Sequence, residues 1–531
     1  MARSTLTLLA TLVLFCGASL WSAEDTATPA VTPAPPAEKA AAPAVAPAEP
    51  AAPPHKAQAK IDSAVAWFGT YVPPGKVDDK GVAVPASNVV NGDNAWMMAS
   101  TALVLLMTIP GLGLFYGGLV RKKNILSTLM HSFILCGVVT VIWTIFGFSL
   151  AFGPGPLDAA GAPTMWAKFF GGFTDFIMLK GVIFDPALAT HSNRFPINLD
   201  YAPTISFGVF CMFQLMFAII TPALISGAYA ERIKFSGMLV FTIIWLIFCY
   251  FPMAHMVWGN HGLFNWGLGA TADWAAFDFA GGTVVHISSG VAALMAAIIL
   301  GKRKGYPESP AMPHSLVLSF IGASLLWVGW FGFNAGSALG ANGLAALAFA
   351  NTQIATAAAA LSWPLAEWII RGKPTMLGSI SGAVAGLVAI TPACGFVEPG
   401  SALIIGLVAG ALCFTSTSYL KRALGYDDAL DAFGVHGIGG MWGAIATGIF
   451  LSVDVNPNIA ALNGDLYKAI VDGKSMVGNQ IVAVLITVTL SAVVATVALL
   501  VAKFTVGLRA TAEDESEGLD VSQHGEEGYN H

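Results

Sequence analysis

Apolar residues fall along this chain in long blocks, with polar residues gathered between them. From Asp93 onward there are eleven such blocks, over 93–120, 125–152, 203–228, 235–258, 280–301, 314–335, 344–370, 374–394, 400–420, 433–452 and 476–506. Each is close to the roughly twenty residues that an α-helix needs to cross a bilayer. Glycine is frequent inside the blocks, as expected where helix backbones pack closely in lipid. The pattern predicts an all-α polytopic membrane protein with eleven transmembrane helices.

The polar punctuation adds orientation. Arg121, Lys122 and Lys123 follow the first block, and Arg232 and Lys234 the third. Lys302, Arg303 and Lys304 follow the fifth, Arg371 and Lys373 the seventh, and Lys421 and Arg422 the ninth. Basic connections mark the cytoplasmic side, so the mature N-terminus is expected outside and the C-terminus inside. A weak repeat is also visible. Block five carries Asp278 and then His286, and block ten carries Asp431 and then His436. IPGLGLFYGG in block one and WVGWFGFNAGSALG in block six are both rich in glycine and aromatics. Five spans followed by five more place the halves in opposite orientations, the inverted-repeat plan of many transporters, with one final helix.

Composition agrees: of 531 residues, 56% are hydrophobic and 11% charged, against about a quarter charged in a soluble domain. The net charge of −6 belongs to the tail, where residues 510–531 hold seven acids and no Lys or Arg. No basic block suggests nucleic acid. Residues 1–23 read as a signal peptide, one Arg followed by a short apolar run and small residues. Residues 24–91 are Ala- and Pro-rich and read as an exported flexible linker. The transmembrane domain is expected over 92–507 and an acidic cytoplasmic tail over 508–531. Six cysteines without a CxxC spacing read as small buried hydrophobes.

Ionisable groups inside a membrane are costly and point to function. His286 and His436 hold equivalent places in the two halves. Across a pseudo-twofold axis two neutral imidazoles can share a hydrogen bond, one nitrogen donating and the other accepting. Either histidine alone would read as a packed core residue; the symmetric placement favours a functional pair. Asp278 has two readings. It can be a cation ligand, or a carboxylate accepting N–H groups at a helix start, and spacing favours the second. Trp258, at the end of the fourth block, offers a ring face to a small cation, and a hydroxyl nearby could accept its N–H. His255 and His261 lack the spacing and the third ligand of a metal site, so no metal or other cofactor is expected.

Together these residues resemble the ammonium transporter (Amt/Mep/Rh) family on its bacterial Amt side. The resemblance covers about residues 92–531 and is carried by PGLGLFYGGLVRKKN, AERIKFSG, AHMVWG, DFAGGTVVHI, GWFGFNAGSA, NTQIATAAAA, DAFGVHG and GLDVSQHGEEGY. It implies a homotrimer with one pore per protomer in the cell inner (plasma) membrane. It implies an outer ammonium recruitment site of Trp258, Phe217 and Ser337 with Asp278 close by. Phe217 and Phe333 would stack as a gate, and His286 and His436 would line the pore. Gln214, Thr391 and Phe213 would support them. Trp258 favours Amt over Rh proteins. The implied partners are ammonium, membrane lipids and a PII-type signal protein at the cytoplasmic face. The implied activity is capture of ammonium, its deprotonation and conduction of ammonia, with or without the proton. The rival is an ammonium sensor reporting to that PII-type partner. An intramembrane enzyme is disfavoured because neither GxSxG nor HExxH is present, and a generic cation channel because no ring of acids is visible.

Overall fold

A computed structural model describes residues 89–529, apart from 185–195, 269, 272, 309–311 and 457. The expected signal peptide and nearly all of the expected linker lie outside the described residues. The described chain is helical, and its β-type pairings are four isolated bridges. Ten helices are long and apolar enough to cross a membrane. They are α1 Asn91–Leu119, α2 Lys122–Phe152, α3 Phe207–Tyr229, α4 Phe235–Trp258, α5 Gly282–Leu300, α6 Leu316–Gly336 and α7 Gly343–Arg371, then α9 Pro399–Leu424, α10 Phe433–Phe450 and α11 Val477–Thr505. The eighth apolar block forms the shorter α8, Met376–Ile390.

Local signals set the ends. Ser206, Ser315, Asn342 and Thr375 each accept a backbone N–H from the first turn of α3, α6, α7 and α8, the usual device for satisfying orphan donors at a helix start. The eighth block was expected to run to residue 394, but its helix stops at Ile390. Pro392 follows, and proline offers no N–H and disfavours helix in the residue before it. The chain instead turns through 391–396, where the Pro392 carbonyl accepts the Phe279 N–H at 3.1 Å.

The connections after α1, α3, α5 and α9 converge on one face around buried Glu231. Its carboxylate accepts from Arg121 Nε at 2.8 Å, Asn124 Nδ2 at 2.9 Å and Arg303 Nη1 at 2.9 Å. Arg303 also forks onto Asp427 at 2.9 Å. Burial pushes the Glu231 carboxyl up, and Arg303 and Arg121 more than reverse it, holding the group below its ordinary value. The tail joins this face through two short helices, α12 Ala512–Glu517 and α13 Leu519–His524. Leu519 N donates to Asn124 Oδ1 at 2.8 Å, and Asp520 accepts the Leu126 and Ser127 N–H groups at 3.1 and 2.8 Å. Arg509 pairs with Glu515 and donates to the Leu300 carbonyl. Composition marked the tail as an acidic extension; the structure docks it.

Candidate functional site

α5 begins in a wide π-type turn, Gly282–Ile287, and α10 in another, Phe433–Gly437. Such turns favour functional sites, although four others interrupt α1, α2, α4 and α9. His286 and His436 ride on these two. Ahead of His286, the Asp278 carboxylate gathers the N–H groups of Gly281, Gly282 and Thr283, each at 2.7 Å, together with the Thr283 hydroxyl. Gly281 sits at φ 126°, where a Cβ would come 2.7 Å from Val285 Cγ2, so only glycine suits the turn. In the second half, buried Asp428 does the same job by accepting the Phe433 N–H at 2.8 Å. The repeat is therefore Asp278–His286 matched by Asp428–His436, eight residues apart in both halves. Asp431, expected in that place, has φ 61° and pairs with Lys421 instead. An acid caps a helix start only where its oxygens reach the free N–H groups, and Asp428 lies there. Burial and the neighbouring Asp431 push the Asp428 carboxyl up to about 6.

The starts of α5 and α10 meet at glycines. A Cβ on Gly440 would lie 3.0 Å from His286 Cβ, and one on Gly290 would collide with the Gly437 backbone. This close approach brings His286 Nδ1 and His436 Nδ1 to 3.3 Å, with the ring planes inclined at 22°. Both residues are buried. One neutral ring donates Nδ1–H to the other, which leaves one Nε2 as an acceptor and the other as a donor. His286 Nε2 has no hydrogen-bond partner among the described residues. Trp330 stacks on His286 at 5.4 Å and 22°, and its Nε1 donates to Thr391 Oγ1 at 2.9 Å. Trp330 was not picked out from the sequence. Its only signal there is its place three residues before Phe333 in the aromatic stretch of α6.

Phe333 stacks over the same imidazole at 6.0 Å and 21°. Phe217 meets Phe333 at 4.4 Å, Phe213 at 4.9 Å and the Trp258 ring edge-on at 5.8 Å. Both Phe217 and Phe333 are buried. On the side away from the basic face, a cavity is walled by Phe217, Trp258, Ser337, Gln214 and Asp278. Trp258 is held by its Nε1–H to the Asp278 main-chain carbonyl at 3.1 Å. Ser337 Oγ donates to the Phe333 carbonyl at 2.8 Å, which leaves its lone pairs free to accept. The Asp278 carboxylate is occupied by its own helix start. Thr391 lies under Trp330 rather than on this wall. A second cavity opens to the basic face and reaches His436, with Lys302, Arg371, Lys421 and Arg422 on its wall.

Phe217, Phe333, His286 and His436 thus stand in consecutive contact between the first cavity and the second. The first cavity suits a small cation that carries N–H groups, since ring faces attract the charge and a hydroxyl accepts a proton. The imidazole pair suits a neutral donor–acceptor solute.

The model of the Ammonium Transporter Family matches residues 95–529. An ammonium transporter of Bacillus subtilis (strain 168) is 48% identical over 438 residues, covering 82% of this chain and 98% of the relative. One from Mycobacterium bovis is 46% identical over 443 residues, 82% of this chain and 90% of the relative. Among solved structures, Saccharomyces cerevisiae Mep2 superposes with a TM-score of 0.68 at 32% identity, covering 80% of this chain and 89% of Mep2. A structure titled Sensor Amt Protein gives 0.67 at 28% identity, covering 82% of this chain and 98% of its own. The chain belongs to the ammonium transporter family.

Proposed function

We propose that this protein captures ammonium in the Trp258–Phe217–Ser337 cavity, that the cation gives up one proton either to the external water or to the imidazole pair, and that ammonia passes along His286 and His436 to the basic cavity, without the proton in the first case and with it in the second. The observation that carries the reading is the 3.3 Å imidazole pair directly beneath the Phe217–Phe333 stack. Moving a bare ammonium ion through such an apolar passage would cost on the order of tens of kcal/mol on a Born estimate. Ammonia is neutral, and of the paired imidazoles one Nε2 can accept its N–H while the other can donate to its lone pair. Potassium has no proton to give up and no N–H to donate, so it is excluded. The basic face is placed in the cytoplasm by the positive-inside rule, in an inner (plasma) membrane, with the Trp258 cavity as the outer vestibule. The homotrimer implied by the resemblance belongs to the same proposal, and native mass spectrometry tests it.

Solid-supported-membrane electrophysiology on the reconstituted protein tests the activity. A saturable current for ammonium and none for potassium marks electrogenic transport. Internal alkalinisation without current marks conduction of neutral ammonia. Absence of both signals would contradict transport and leave the sensor reading, in which the docked tail and basic face report to a PII-type partner. The likeness to the Sensor Amt Protein structure favours keeping that second reading.

A further inference from the structure

Between α10 and α11 the chain forms two short helices, Asn458–Leu462 and Gly464–Val471. They are pinned over the Trp258 cavity. Ile459 and Leu466 are buried with Trp266, Phe277 and Phe396, and Asn463 Nδ2 donates to the Ala270 carbonyl at 3.0 Å. Asn456 is engaged at both ends: its Nδ2 donates to the Gly395 carbonyl at 3.0 Å and its Oδ1 accepts the Asn458 N–H at 3.3 Å. Asn458 differs. It is 2% exposed, it stands on the wall of the same cavity as Trp258 and Phe217, and its Oδ1 has no hydrogen-bond partner among the described residues. Gln214 Oε1, on that wall too, has none either.

A buried amide oxygen without a donor is unfavourable and calls for an explanation. Two of them on one cavity wall share one if the cavity's occupant brings the donors. Ammonium carries four N–H groups, and the ring faces of Phe217 and Trp258 stabilise its charge without accepting any of them along a lone pair. We propose that Asn458 is a further ligand of the ammonium site, its Oδ1 accepting an N–H of the cation alongside Ser337 and Gln214. This rests on the recruitment reading above. Acceptors placed around the cation count its N–H groups, so Asn458 also raises the preference for ammonium over methylammonium, which has one fewer.

The test measures initial uptake against concentration in proteoliposomes with an internal pH dye, for ammonium and for methylammonium. Asn458→Leu keeps the branched shape and removes the acceptor. Its half-saturation for ammonium is expected to rise about three- to tenfold, the span of one hydrogen bond, with a smaller rise for methylammonium and little change in maximal rate. Asn458→Asp keeps an acceptor and adds charge; its half-saturation for ammonium is expected to fall. Trp258→Leu runs in parallel. If Trp258→Leu weakens ammonium and Asn458→Leu does not, the Asn458 proposal is overturned while the recruitment reading stands. If Trp258→Leu has no effect, the recruitment reading itself fails. Should Asn458→Leu not fold, an Asn458→Asp protein with wild-type half-saturation overturns the proposal.

Discussion

At the scale of the residue, Asp278, just ahead of α5, and His286, in its opening turns, have different surroundings. The Asp278 oxygens are saturated by four backbone N–H groups and a hydroxyl, an arrangement that organises the helix start and favours this structural role over direct contact with the cation. Asp278→Ala leaves those donors buried and unpaired, at about 1–3 kcal/mol for each group left without a partner. It is expected to lose thermal stability together with flux, read by a melting assay beside the uptake assay. A variant that kept wild-type stability and lost flux would make Asp278 a direct cation ligand instead. Asp278→Asn should behave nearly as badly, because its amide nitrogen would face N–H donors. For Trp258 a cation–π contact is worth about 0.5–2 kcal/mol, so Trp258→Leu is expected to raise half-saturation by up to about thirtyfold.

At the scale of the element, the docked tail acts on the start of α2. Asp520 accepts the Leu126 and Ser127 N–H groups from across the chain, as a cap would from next door, and a cap is worth about 1 kcal/mol. Asp520→Ala is therefore expected to speed hydrogen–deuterium exchange at Leu126 and Ser127 about fivefold. Unchanged exchange there would mean that the tail does not hold this face together. Glu231 is the hub beneath it. Its carboxyl lies below the ordinary 4.5 because two guanidiniums outweigh burial. A depressed carboxylate contributes stability that is complete above its unfolded value and is lost as pH falls through the folded one. Thermal stability should then decline as pH drops below 4.5, and Glu231→Gln should remove that part of the decline. Glu231→Gln is also expected to cost about 1–3 kcal/mol at neutral pH, since Arg121 loses its anion while Arg303 keeps Asp427.

At the scale of the whole molecule, the sequence announced much of this, for a physical reason. A span that crosses lipid must be apolar along its whole length, so helix number, order and alternation are written in blocks. The shortened α8 follows from one Thr391–Pro392 step that block length alone overlooks. His286 and His436 were legible because lipid makes an ionisable group conspicuous, and Trp258 because it closes an apolar run. Trp330 was not, since an aromatic on a buried helix looks the same whether it packs or shapes a pore. Asp428 and Asp431 stand three residues apart, and only hydrogen-bond geometry tells which one reaches the helix start. The docking of the tail was hidden for a similar reason: seven acids mark only an acidic tail, while Asn124, which accepts the Leu519 N–H, and Leu126, which donates to Asp520, lie nearly four hundred residues earlier.

The imidazole pair is proposed to let ammonia pass and to refuse potassium. The measurement that tests it most directly is uptake of ammonium and of radiolabelled rubidium, as the potassium surrogate, into proteoliposomes carrying the wild-type protein or the His286→Ala/His436→Ala double variant. The wild type should take up ammonium saturably and leave rubidium at the level of empty vesicles, and the folded double variant should admit rubidium. A double variant with unchanged ammonium flux and unchanged rubidium exclusion would contradict the account.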